Sequence, residues 1–281
     1  MRIANLDGRL VVLAGDGAID VEAASAGRFG SDPQAIYSDW DAFRDWASDV
    51  DSTTAMDFDP ARLRQPLTAP PQIFAIGLNY YDHAAESGFT APDQPAVFTK
   101  FVSSLAAPYV EVALPTGTVD WEVELVAIVG RLCRNVSAVD AWDHIAGLTV
   151  GQDLSERTSQ LSGPVPQFSL GKSYPGFSPI GPSIVTPDEL SNPDDLEMGC
   201  SINGELLQKV RTTDMIFTIP ELIASLSAVL PLYPGDIIFT GTPAGIGHAR
   251  SPQRYLRAGD ELSSWVEGIG EIRQTFTGPA Y

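Results

Sequence analysis

The sequence predicts a mostly β, α+β fold with a small N-terminal α+β module, and three observations lead there. Strand-length runs rich in Val, Ile, Phe and Thr recur along the chain. Turn dipeptides punctuate them (Asp7-Gly8, Asp16-Gly17 and Asn203-Gly204), the kind that close two-residue hairpins. Helical periodicity is confined to few stretches, the clearest opening with the capping box Thr218-Ile219-Pro220-Glu221.

In chain order, residues 1–56 predict a compact module. Hairpins form on runs such as Arg9-Leu10-Val11-Val12-Leu13, and a helix over 39–50 aligns Trp40, Phe43, Trp46 and Ala47 in one apolar stripe. Residues 57–71, with Pro60, Pro66, Pro70 and Pro71, read as an extended linker. The chain thus divides into a module with its linker, 1–65, and a main domain, 66–281. The main domain opens with a short strand, 72–78, and a short helix within 79–86. There His83 and Glu86 are i, i+3 neighbours, so the carboxylate can orient the imidazole as a general base. A His beside a Glu also occurs without function, but Gly88, Pro92 and Pro95 flank this helix as a mobile lid would be flanked. Further on, a hairpin pairs 197–201 with 205–210, and a helix spans 218–229 with Leu222, Ile223, Leu226 and Val229 facing the core. A strand over 237–240 then runs into the glycine-rich 241–247. That loop is neither GxGxxG nor a P-loop, which excludes a nucleotide site. Its N–H groups, Gly241 among them, and the Thr242 hydroxyl can still receive a carboxylate.

The chemistry concentrates in residues 119–160. Residues 119–129 read as one strand, where positions i and i+2 share a face about 7 Å apart. Glu122 and Glu124 then stand side by side, followed by Val126 and Ile128, with Trp121, Val123, Leu125 and Ala127 opposite. Two carboxylates on a buried strand repel each other unless a cation or a shared proton sits between them. A third, Asp153, follows the run Leu148-Thr149-Val150. Three hard oxygen ligands suit Mg²⁺, with Mn²⁺ or Ca²⁺ as alternatives. Glu-x-Glu also fits the solvated face of an antiparallel pair. The sequel favours the metal: with a helix from about 155, Asp153, Arg157 and Gln160 fall at i, i+4 and i+7, along one helical face or at its entry. Arg157 can equally be a surface ion-pair partner, and Lys172, in a run otherwise without charge, a surface lysine.

Composition bounds the partners. The chain is 44% hydrophobic and 19% charged, as ordinary globular proteins are. Lys+Arg number 17 against 36 Asp+Glu, a net charge of −19 that repels phosphate backbones and anionic membranes. Nucleic acid is excluded as a partner on that ground. Cys133 and Cys200 have no CxxC setting, which excludes a disulfide scaffold and fits a reducing cytoplasm. No signal-peptide core opens the chain, and no run approaches the roughly 18 apolar residues of a membrane span. Only three lysines occur, Lys100, Lys172 and Lys209, so each is a sparing choice.

These pieces together resemble the fumarylacetoacetate hydrolase family over about 72–276. The motifs are Gly77-x-Asn79-Tyr80-x-x-His83-x-x-Glu86, Asp120-Trp121-Glu122-Val123-Glu124-Leu125 and Asp153-x-x-x-Arg157-x-x-Gln160. Gly171-Lys172-Ser173, Pro179-Ile180-Gly181-Pro182, Asn203-Gly204-Glu205, Pro234-Gly235-Asp236 and Gly241-Thr242-Pro243-x-Gly245-x-Gly247 complete the set. Their order and spacing make the resemblance specific. It departs at Gln152, where Asn is frequent, and at Thr158, where Asp is common. The resemblance implies a rolled mixed β-sheet with few helices, in a homodimer. It implies Mg²⁺ or Mn²⁺ on Glu122, Glu124 and Asp153, and a lid-borne His83–Glu86 dyad. Arg157, Gln160 and Lys172 would surround the reacting carbonyl, with Thr242 and Gly241 at the substrate carboxylate. The implied function is metal-dependent hydrolysis of the C–C bond of an acylpyruvate or 2,4-dioxo acid, releasing pyruvate in the catabolism of aromatics or sugar acids. An oxaloacetate-type decarboxylase, a dienoate isomerase or hydratase, and a non-catalytic keto-acid binder are the alternatives.

Overall fold

The computed structural model describes residues 1–279. Strands dominate, and most join one twelve-stranded mixed sheet. At its centre lie the antiparallel strands Ser178–Val185, Ile145–Gln152, Val123–Val129 and Ile237–Phe239. Ile237–Phe239 then runs parallel to Ile73–Gly77, whose other neighbour is Ala96–Thr99. A five-stranded sheet holds Glu205–Arg211, Glu197–Ile202, Glu261–Val266, Gly270–Thr277 and Tyr109–Ala113. The last two of these run parallel.

The run Val123–Val129 is buried at every position. Leu125, Ala127 and Val129 enter one core cluster, and Val126 and Ile128 another. The strand is therefore covered on both faces, which is why the sequence is apolar throughout apart from Glu124. The residue opposite Glu124 is Gly151, where a Cβ would come within 2.6 Å of Val126 and 2.8 Å of Phe239.

The N-terminal strands extend this same sheet. Arg2–Leu6 pairs with Ser178–Val185, and its hairpin partner Arg9–Ala14 carries Gly17–Asp20 beyond it. The second turn is Gly15-Asp16, with Gly17 already in the strand, so the expected Asp16-Gly17 turn shifts by one residue. The helix predicted over 39–50 is Trp40–Ala47, with Trp40, Phe43 and Ala47 buried in the cluster that also holds Val126, Ile128 and Phe239. Residues 57–71 are less extended than expected. Leu63–Arg64 pairs with the first strand, and Leu67 is buried. The helix Ile219–Val229 begins at the capping box, with both reciprocal bonds formed. Leu222, Ile223 and Leu226 face the core, but Val229 is exposed, contrary to expectation. The helix ends there, and the extended Leu230 packs on the core in its place.

Candidate functional site

A two-stranded ribbon, Val119–Asp120 with Ser155–Glu156, draws the two halves of the central stretch together. Between the ribbon and Val123–Val129 the chain breaks at Trp121-Glu122. The expected single strand over 119–129 is thus two, with Glu122 in the break and Glu124 on the second. Two glutamine side chains hold the break. The Glu122 N–H donates to Gln152 Oε1 at 2.8 Å and the Val123 N–H to Gln208 Oε1 at 3.1 Å. Their own amides donate to Ser264 Oγ (2.8 Å) and Pro243 O (2.7 Å), so the buried polar groups are matched.

Glu122, Glu124 and Asp153 each bring one oxygen within 4.8 Å of the others, and all three are buried. Asp153 follows strand Ile145–Gln152, and its N–H donates to the Glu122 carbonyl at 2.9 Å. The helix begins at Arg157, not near 155, with Glu156 as its N-cap accepting from Thr158 and Ser159. Arg157 is no surface residue. Nη2 lies 2.7 Å from both Asp120 Oδ2 and Glu122 Oε1, and Nη1 donates to Gln160 Oε1 at 2.8 Å. Lys172 is buried as well, its Nζ 2.7 Å from Glu122 Oε2 and 2.5 Å from Asp153 Oδ2. His83 Nδ1 pairs with Glu86 Oε1 at 2.9 Å, and Glu86 Oε2 accepts from the Gly245 N–H at 2.9 Å. That second bond ties helix Tyr81–Glu86 to the glycine-rich loop. In the same loop the Gly241 N–H donates to Glu124 Oε2 at 2.7 Å. The Thr242 hydroxyl donates to the Val123 carbonyl and accepts from Gln208 Nε2.

Electrostatics separate the acids. Burial alone would raise the Glu122 carboxyl, but Lys172 and Arg157 overcome it and hold it well below the usual carboxylate range. Glu124 goes the other way, pushed well above the usual carboxylate range by burial and by the charges of Asp153 and Glu122. Lys172 is raised, because Asp153 and Glu122 outweigh its burial. Asp120 pairs with Arg157, Lys100 and Lys172 lie on Asp153 and Glu122, and among the described residues Glu124 has no ion-pair partner. The donor set therefore fits a divalent ion: three convergent oxygens, one of them held from ionising by its neighbours.

Two residues at this centre were given no role from the sequence. Asp120 also accepts from the Gly247 and His248 N–H groups, at 2.7 and 2.9 Å. Lys100 lies 2.5 Å from Asp153 Oδ1. Its one sequence signal was the scarcity of lysine.

The family model for the fumarylacetoacetate (FAA) hydrolase C-terminal domain matches residues 72–277. The chain belongs to this family. It is 42% identical over 209 residues to human mitochondrial oxaloacetate tautomerase FAHD2A, covering 74% of this chain and 67% of that protein. It is 43% identical over 230 residues to a 2,4-didehydro-3-deoxy-L-rhamnonate hydrolase of Sphingomonas sp. strain SKA58, covering 81% and 80%. Among solved structures, maleylpyruvate hydrolase of Sphingobium sp. SYK-6, in complex with manganese(II) and pyruvate, superposes with a TM-score of 0.80. That match has 30% identity and covers 99% and 100% of the two chains. Relatives in this family include hydrolases, tautomerases and isomerases. Among the described residues, no helix is long and apolar enough to cross a membrane.

Proposed function

We propose that this chain is a divalent-metal-dependent hydrolase that cleaves an acylpyruvate or 2,4-dioxo acid to pyruvate and a carboxylic acid. The supporting observation is the convergence of Glu122, Glu124 and Asp153 beside the His83–Glu86 pair. The relatives that carry hydrolase names, one of them with manganese and pyruvate bound, agree with it. Mg²⁺ or Mn²⁺ on the three carboxylates would supply Lewis-acid polarisation to the carboxylate and 2-oxo oxygens of the substrate.

The chain's own groups do the rest. His83, oriented by Glu86 through Nδ1, takes a proton from water, which adds to the C4 carbonyl. Arg157, Gln160 and Lys172 donate to the oxygen that becomes negative there, each donor of this kind being worth about 3–4 kcal/mol. The C3–C4 bond then breaks, its electron pair going to C3. The proton returns to C3, giving pyruvate and the acid. Thr242 and Gly241 are assigned to the substrate carboxylate, a role that requires the Gly241 N–H to leave Glu124 and the Thr242 hydroxyl to give up its bond to Val123. A homodimer and a cytoplasmic location belong to the same proposal.

A second reading has one observation in its favour, the similarity to an oxaloacetate tautomerase. The same base can move a proton between carbon and oxygen without water adding. Incubation with acetylpyruvate and, separately, oxaloacetate, with Mn²⁺ or EDTA, decides between them. Metal-dependent pyruvate release from acetylpyruvate is expected. Accelerated enol–keto exchange of oxaloacetate with acetylpyruvate left intact would replace the hydrolase by the tautomerase.

A further inference from the structure

Lys100 takes no part in the steps above, yet its side chain is wholly enclosed. It follows strand Ala96–Thr99, and its backbone N–H is tied to the Ile73 carbonyl at 3.2 Å. Its ammonium lies 2.5 Å from Asp153 Oδ1, donates to the main-chain carbonyl of Lys172, and sits 5.8 Å from the centre of the Phe239 ring. Lys172, in contrast, places its ammonium on Glu122 Oε2 and Asp153 Oδ2. Two lysines thus divide the Asp153 carboxylate, one oxygen each.

We propose that Lys100 is a positioning residue that clamps Asp153 and the Lys172 backbone to one point, leaving Lys172 as the lysine free to turn to substrate. The proposal rests on the metal-dependent reading above. Burial lowers the pKa of Lys100 and Asp153 opposes that shift. The acceptors that hold this enclosed group come from two segments, the end of strand Ile145–Gln152 and the end of helix Phe168–Gly171. The clamp orients one metal ligand through one oxygen and leaves the other to Lys172 or to a divalent ion that displaces it. It also fixes the main chain of Lys172, whose ammonium lies 5.0 Å from the centre of the Phe98 ring and is held by carboxylates that a divalent ion would claim.

Charge and position make opposite demands, which makes the idea testable. A positive charge beside a cation site weakens cation binding, so its removal alone would tighten binding. Loss of a partner that orients a ligand weakens metal binding, typically by about 10–100-fold. Mn²⁺ affinity is therefore measured by electron paramagnetic resonance of the free ion for the wild type, Lys100→Met and Lys100→Gln. Lys100→Gln keeps a neutral hydrogen-bond donor on a side chain one atom shorter and guards against a variant that does not fold. A loss of about 10–100-fold in Lys100→Met, smaller in Lys100→Gln, is expected. At saturating Mn²⁺ the remaining deficit should fall on kcat more than on KM. Equal or tighter Mn²⁺ binding in the variants would reduce Lys100 to a counter-charge. A wild type that binds no Mn²⁺ would remove the metal reading itself, and the clamp with it.

Discussion

Gln152 Oε1 accepts the Glu122 backbone N–H at 2.8 Å, and through that bond the strand that leads into Asp153 sets the direction of Glu122. The N–H lies in a break between two strands, where no ladder partner serves it. Because Gln152 Nε2 is also engaged, by Ser264 in the second sheet, one side chain couples both sheets to a candidate metal ligand.

Gln152→Met keeps the volume of this side chain and removes both bonds. The unpaired, fully enclosed N–H should cost about 1–3 kcal/mol. Denaturant unfolding should show that loss, and Mn²⁺ affinity should fall with it as Glu122 loses its direction. Unchanged stability and affinity together would mean the break is held by its packing alone.

Lys172→Met should separate binding from catalysis. Its ammonium occupies oxygens of Glu122 and Asp153, so its removal releases two ligands and a repelling charge. Mn²⁺ should bind more tightly while turnover collapses. Lys209→Met is the control, since Lys209 is half exposed and, among the described residues, pairs only with Glu197. Parity of the two variants in turnover would remove Lys172 from the proposed mechanism.

How much of this was legible in the sequence follows from the range of each interaction. The capping box at Thr218 and the hairpin at Asn203-Gly204 depend on neighbours three residues apart or fewer, and both formed as read. Glu122 and Glu124 could be paired from their i, i+2 spacing, and Asp153 joins them because Ile145–Gln152 pairs antiparallel with Val123–Val129. The break at Trp121-Glu122 was not legible. The amides that sustain it come from Gln152 and Gln208, thirty and eighty-five residues away. Lys100 escaped for the same reason, its acceptors lying fifty-three and seventy-two residues along the chain. Val229 failed differently: periodicity carries no information about the position where a helix stops.

Metal binding should depend on pH through Glu124. Burial, Asp153 and Glu122 raise its carboxyl well above the ordinary range, so in the metal-free protein it holds a proton at pH values where a solvated glutamate has lost it. A divalent ion needs the ionised form, and its binding therefore expels that proton. Mn²⁺ affinity should rise as pH rises towards the elevated pKa and level off above it. Calorimetry in two buffers of different ionisation enthalpy counts the released proton. Identical heats in both would show that Glu124 is already ionised, and Glu124→Gln should abolish both the proton release and metal-dependent turnover.

His83→Ala tests the base apart from the metal. The imidazole is paired through Nδ1 with Glu86, and among the described residues none of the hydrogen bonds of Glu122, Glu124 or Asp153 runs to it. Its loss should leave Mn²⁺ affinity within a few-fold of the wild type and lower acylpyruvate hydrolysis by about 10²–10⁴. Glu86→Gln should give a smaller loss, because the amide oxygen can still accept from Nδ1–H but no longer stabilises the protonated ring. In the same assay a fall in Mn²⁺ affinity matching the fall in rate would place His83 among the ligands and leave the attacking water to another base.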